Sequence, residues 1–297
     1  LIYTGSNALG AVKEISSLYG IKSFTALETF IFSNHTINKA YLHNNSNLKF
    51  VQLTNNSLMT EASLNGNKHL QTLDLSYSNV NRVEAKAFSK LEVLKLANNA
   101  NITEIELTNN DDLLELDISG TGITTLDISK NLKLTSLNTS RIASFNALDV
   151  SQNVKLESLN AANNNLTSID VTKNVLLTDL NLGGNVFTTL DITKNILLTD
   201  LSLSSCHYSF VNIDVTKNIL LKNLDVSSCS FASLNLTKNV NLENLNISKG
   251  GYLTPNGLIL DLSKNIALKS LNAKENRNNS LTNPESDILE LDETGGF

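Results

Sequence analysis

The sequence repeats itself at a nearly fixed interval. Twelve apolar positions, Phe30, Val51, Leu73, Leu94, Leu116, Leu137, Leu159, Leu180, Leu201, Leu224, Leu245 and Leu271, follow one another at spacings of 21 to 23 residues, widening to 26 only at the last. A second column runs between them. It opens the near-copies LDISKN, LDVSQN, IDVTKN, LDITKN, IDVTKN, LNLTKN and LDLSKN at Leu126, Leu148, Ile169, Leu190, Ile213, Leu234 and Leu260. A period in this range marks a chain of stacked, similar coils, each burying its apolar face mainly against its neighbours.

Each half-period fits L-x-x-L-x-L-x-x-N, with Leu177, Leu180, Leu182 and Asn185 on one side and Leu166, Ile169, Val171 and Asn174 on the other. Alternating apolar residues such as Leu180 and Leu182 read as a short strand with those side chains inward. The closing asparagine stands where the chain turns inward. Its amide can pair with backbone groups that would otherwise be buried unsatisfied. Asn131, Asn153, Asn174, Asn195, Asn218, Asn239 and Asn265 supply this turn ladder in the seven copies.

These patterns resemble the leucine-rich-repeat family. AFSKLEVLKLANNANITEI (87–105) is close to its general consensus, and the copies from about 116 to 275 resemble its nested 21-residue bacterial subtype, found in surface proteins. The resemblance spans residues 25–275. It implies an α/β-type repeat solenoid: a curved, right-handed leucine-rich-repeat solenoid of about 12 turns, mostly short parallel strands and loops, with the sheet on the concave face. The Phe30-to-Leu271 column is assigned to that sheet for two reasons. It persists in the irregular early coils, and the inserted residues near Phe145, near Tyr208 and across KGGYLTPNGL (249–258) all follow it. LDITKN therefore falls on the outer, convex half. Residues 1–24 are read as an N-terminal cap and 276–297 as a C-terminal cap or linker, because end coils need covering.

Charge and composition exclude several functions. A net charge of −6 and a pI near 5.3 argue against a nucleic-acid partner, which calls for a basic stripe. No apolar run approaches the roughly 18–20 residues of a membrane-spanning helix. A chain that begins at Leu1 reads as a mature or trimmed form, from which a signal segment or lipid-anchor cysteine would already be missing. The four histidines are scattered over three coils and no catalytic motif accompanies them, so no enzyme and no catalytic residue is expected.

Two rows of charge run along the outer half. Asp127, Asp149, Asp170, Asp191, Asp214 and Asp261 stack one coil apart, and Lys130, Lys173, Lys194, Lys217, Lys238 and Lys264 stack beside them. Carboxylate rows suit hard cations, but these lysines already offset the charge and no glycine-rich calcium loop is present. The rows read as scaffold, with no metal and no cofactor. Nine Asn-x-Ser/Thr sequons, at Asn34, Asn44, Asn55, Asn101, Asn138, Asn165, Asn235, Asn246 and Asn278, read as a by-product of an Asn- and Ser/Thr-rich repeat. Cys206 and Cys229 replace the turn asparagine in adjacent coils. A Cα separation of ~5 Å would permit a disulfide; the family resemblance implies buried free thiols instead.

The strand residues that point out of the sheet form the candidate binding surface. Asp179, Asn181, Asp200, Ser202, Asn223, Asp225, Asn246 and Asn272 make it small, polar and mildly acidic, and Tyr208 and Tyr252 add aromatic anchors in the inserted loops. The expected function is a monomeric, non-enzymatic protein-interaction module of a secreted or surface-anchored bacterial protein, extracellular or on the cell surface, with outer-membrane lipoprotein anchoring as one form. Carbohydrate binding (a glycan or mucin adhesin) and a passive structural spacer are the alternatives.

Overall fold

The computed structural model describes residues 15–207, 210, 212–231, 233–250 and 260–274, together with the backbone at 2–3, 251–252 and 277–278. The chain divides into two compact units, 1–145 and 146–297. In the first, the strands Thr29–Phe32, Phe50–Gln52, Thr72–Asp74, Val93–Lys95, Glu115–Asp117 and Ser136–Asn138 pair in parallel, each with the strand of the next coil. Ile2–Tyr3 adds in parallel to the outer edge of Thr29–Phe32. In the second, Ser158–Asn160, Asp179–Asn181, Asp200–Ser202, Asn223–Asp225, Asn244–Asn246 and Ser270–Asn272 do the same. Register follows the sequence period: Leu159, Leu180, Leu201, Leu224, Leu245 and Leu271 lie side by side.

Three-residue strands suffice because each needs only one inward side chain. The central leucine is buried and its two neighbours turn outward, half-buried or exposed. The intervening LDITKN-type segments contain no strand and run into two successive turns on either side of their asparagine, so they form the half of each coil away from the sheet. The helical part of the α/β expectation reduces, among the described residues, to two single 3-10 turns, Ile21–Ser23 and Ala85–Ala87. The return paths are too short and too rich in Asn, Asp, Ser and Thr for anything longer, since these residues favour turns over helix interiors. A smaller parallel pair, Lys39–Tyr41 with Glu61–Ser63, lies in the first unit, and Gly251–Tyr252 pairs with Arg277–Asn278 in the second.

The core of each coil is closed at its corners by asparagine. Asn174 Nδ2 donates to the carbonyls of Val150 and Asn153 in the preceding coil, at 3.0 and 2.9 Å. Asn195, Asn218, Asn239 and Asn265 repeat that double bond at 2.8 to 3.1 Å. In the first unit Asn131 bonds Leu107 and Asn110, and Asn45 bonds the carbonyls of Ile21 and Phe24. At the opposite corner Asn56, Asn99 and Asn185 donate to the coil before and also accept a backbone N–H, from His35, Val80 and Leu166. Between the corners Phe187, Phe210 and Phe231 pack edge to face at 6.5 and 5.9 Å, an arrangement favoured by the ring quadrupoles.

The chain leaves each strand through a left-handed residue. Gly120 and Gly184 fill this place at φ +64° and +66°, and a side chain there would also crowd the Oδ1 of Asn98 or Asn163, at 2.9 and 2.5 Å. Other coils use Asn34, Asn55, Asn98 and Asn163, whose short polar side chains tolerate the conformation.

Replacing Asn174 by Leu removes both rungs and strands two buried carbonyls. The expected loss is about 1–3 kcal/mol, moderated because Asn174 Oδ1 is itself buried without a protein partner. Chemical denaturation of the variant measures this, and an unchanged midpoint would contradict the ladder's role.

Candidate functional site

The strand face of the second unit gathers most of the residues that the sequence singles out. Asp179, Asn181, Asp200, Ser202, Asn223, Asp225, Asn246 and Asn272 all line one open hollow of about 630 Å³, with Ser158, Asn160, Asn244 and Ser270 beside them. Each coil contributes two of these side chains, from the first and third positions of its strand.

The two positions behave differently. In the third, the side-chain oxygen bonds the backbone N–H two residues on: Asn160 to Ala162, Asn181 to Gly183, Asp225 to Ser227 and Asn246 to Ser248, at 2.9 to 3.2 Å. This local preference of Asn and Asp at the end of an extended segment fixes each rotamer. It leaves the amide Nδ2 groups of Asn160, Asn181 and Asn246 pointing elsewhere as donors. In the first position the side chains bond one another across coils. Asn244 Nδ2 donates to Asn223 Oδ1 at 2.6 Å and Asn223 Nδ2 donates to Asp200 Oδ1 at 2.5 Å, while Thr199 and Thr178 hydroxyls donate to Asp200 and Asp179 at 2.7 Å. One row is therefore rich in amide donors and the other ends on carboxylates. Both are held in place before any ligand arrives.

Tyr208 lies outside the described residues, and of Tyr252 only the backbone, in the strand Gly251–Tyr252, is described. A surface that the sequence reading did not consider lies on the strand face of the first unit. There the same outward positions hold Ile31, Phe50 and Val93 beside Gln52, Asp74, Lys95, Glu115 and Asp117. Lys95 Nζ meets Glu115 Oε1 at 2.8 Å, and that hydrogen bond is the chief cause holding the Lys95 ammonium above its usual pKa. Tyr77 and Arg141 stand exposed just past their strands, in the left-handed conformation at φ 58° and 60°. A bulky side chain there is unusual and strained. Applying the strand register to the early coils would have found all of these.

On the outer half the aspartate rows are held differently from the expectation. Asp127, Asp149, Asp170, Asp191, Asp214 and Asp261 each accept the backbone N–H of the Ser or Thr two residues on, at 2.8 to 2.9 Å. The hydroxyls of Thr172, Thr193 and Thr216 donate to the same oxygens at 2.6 to 2.7 Å. These bonds, side chain first and backbone second, depress the pKa of Asp170, Asp191 and Asp214, and the nearby lysines contribute less than either. The rows are turn locks before they are ion pairs. Among the described residues no group of three His, Cys, Asp or Glu could hold a metal ion.

The cysteines require a correction. The reading of free thiols gives way to a disulfide between Cys206 and Cys229, whose Cα atoms lie 5.2 Å apart. Both occupy the same corner of adjacent coils, so the stacking distance itself brings them within bonding reach. Cys229 Sγ also sits 3.2 Å from the carbonyl oxygen of Leu203, the place taken in other coils by the Asn99 and Asn185 amides. Among the described residues no helix is long and apolar enough to cross a membrane.

No family model matches the sequence, and no curated protein matches it. Solved structures do. The functional domain of InlJ from Listeria monocytogenes, which includes a cysteine ladder, superposes with a TM-score of 0.78 at 26% identity, covering 85% of this chain and 55% of that one. This chain thus spans about half the length of that relative. An internalin, InlF, from the same organism aligns with a TM-score of 0.67 at 16% identity over 86% of this chain and 84% of that one. YopM, a leucine-rich effector protein from Yersinia pestis, aligns at 0.63 and 17% identity over 84% and 78%. The chain is a leucine-rich-repeat solenoid.

Because the outer aspartates have depressed pKa values, the stability they add is present above the ordinary carboxylate range and is lost as pH falls through the depressed values. Asn235 already fills the same position and accepts the same two bonds from Thr237. The triple variant Asp170→Asn, Asp191→Asn, Asp214→Asn should therefore lose less melting temperature than wild type between about pH 6 and pH 3. Thermal melts at the two pH values decide it: parallel losses would remove the turn-lock explanation.

Proposed function

We propose that this chain is a non-enzymatic protein-interaction module of a secreted or surface-anchored bacterial protein, acting outside the cell and binding through its strand faces. The observation that carries the reading is the fixed, outward double row of polar side chains in the second unit. Its members are locked by their own backbone and by each other, so little side-chain entropy remains to be lost on binding. The likeness to internalins and to YopM supports an interaction module in general, and a solenoid sheet is a surface such proteins use. In the first unit, Phe50 and Val93, with Tyr77 and Arg141 at the rim, supply apolar area and the residue types that dominate protein interfaces. Residues 1–24 then serve as the N-terminal cap, consistent with the bonds from Asn45 to Ile21 and Phe24.

A second reading has its own observation. The facing rows of amide donors and carboxylate acceptors also suit the hydroxyls of a carbohydrate. Arrays of extracellular proteins and of glycans, probed with the same labelled chain, separate the two. The expected result is a protein target whose affinity falls at least ~10-fold in the variant Asp200→Lys with Asp225→Lys, a loss on the order of 1.4 kcal/mol, with the folded circular dichroism spectrum retained. A glycan hit abolished by that variant would transfer the site to sugars. Undiminished binding of a protein target would remove the second unit's strand face from the proposal.

A further inference from the structure

The outer half of the second unit carries exposed aliphatic side chains that the strand-face reading leaves unused. Val154, Val175, Ile196, Ile219, Val240 and Ile266 recur once per coil, and Leu176, Leu197 and Leu220 stand next to three of them; all nine are between 37% and 91% exposed. Their exposure is set by the ladder. Each of the six follows a buried asparagine, and the N–H three residues on closes a turn onto that asparagine's carbonyl, as Leu198 does onto Asn195 at 3.2 Å and Leu221 onto Asn218 at 3.1 Å. The two residues between, Ile196 and Leu197 or Ile219 and Leu220, are the tips of that turn. Turn tips ordinarily take Gly, Asn, Asp, Ser or Pro, so backbone geometry does not ask for Val, Ile and Leu here. A contiguous apolar stripe on a soluble surface marks a contact site.

The flanks indicate what the stripe meets. Exposed lysines, Lys173, Lys194, Lys217, Lys238 and Lys264, stand two residues before five of the six tips. The aspartates of these coils lie beyond the lysines, each tied to its own Ser or Thr. We propose that this stripe is a lipid-contact face: the aliphatic tips enter the boundary between headgroups and acyl chains of a phospholipid surface, and the lysines reach the phosphates. Lysine suits that border because its long stem lies along apolar surface while the ammonium stays in the polar layer. A protein partner fits less well, since the stripe has no Trp, Tyr or Arg to act as an anchor. A second copy packed antiparallel would set one lysine row against the other. A lipid layer accepts any aliphatic relief without shape matching, and its phosphates complement the ammonium row.

Vesicle flotation tests this on the whole chain. Vesicles of phosphatidylcholine with about one-third phosphatidylglycerol should carry the protein upward, and pure phosphatidylcholine vesicles should carry less, because surface attraction scales with anionic lipid. Ile196→Asp with Ile219→Asp should reduce partitioning at least ~10-fold, and Lys194→Ala with Lys217→Ala should weaken chiefly the binding to phosphatidylglycerol. All four side chains project from the surface, so circular dichroism melts should show the variants folded. Wild-type protein that stays at the bottom of the gradient, or an aspartate variant that floats as well as wild type, would overturn the proposal. Sedimentation velocity supplies the rival result: a dimer dissolved by the aspartate pair, with no flotation, would assign the stripe to a second copy instead.

Discussion

The structure depends on one recurring bond, from the side-chain amide of an asparagine to two carbonyls of the coil before it. A coil of about 21 residues must turn inward at its corners, and the turn carries peptide groups into the core, where water cannot reach them. An unpaired buried carbonyl costs a substantial share of the marginal stability of a domain. A single amide reaching across the stacking gap answers two of them at once. Leucines can then fill the space between the corners, and three-residue strands are enough to hold the register.

This division of labour explains why the fold and its outward strand face were legible in the sequence and a ligand was not. Leu180 and Asn185 recur because any substitution there is felt by the coils above and below, so the period survives in the letters. Third-position Asn and Asp on the strand face are held by the backbone N–H two residues on, but first-position residues answer to no such constraint. Ser158, Asp179 and Asn223 stand at equivalent positions and differ, and Thr72, Val93 and Glu115 do the same in the first unit. Variation at a position whose neighbours are fixed is what a recognition surface looks like from sequence, but it carries no label for the ligand.

Three features needed coordinates for physical reasons. The aspartate rows looked like charges balanced by lysines, whereas a hydrogen bond to the residue two places on dominates; periodicity shows which residues stack, not which atoms meet. The pairing of Cys206 with Cys229 turned on whether two sulfurs at one corner face each other or a carbonyl. The exposed tips, Ile196 and Ile219 among them, follow from no period, because the repeat places apolar residues without saying which face each one takes. Only the turn closed by Leu198 or Leu221 shows that the residue after the asparagine points outward while the one three places on points in.

The amide rungs also run one way. In each unit every rung donates toward the N-terminal neighbour, while the oxygen of the same side chain at Asn195, Asn218 and Asn239 takes no protein donor in return. The stack therefore has polarity, like a polymer with unlike ends. Within each unit the N-terminal side of a coil presents donors, which at the start of the first unit find the carbonyls of Ile21 and Phe24, and the C-terminal side presents acceptors. Whatever closes one end is chemically unsuited to the other. New coils copied into the middle inherit both halves of the bond without further adaptation, so such a chain can lengthen or shorten internally far more readily than it can exchange its ends.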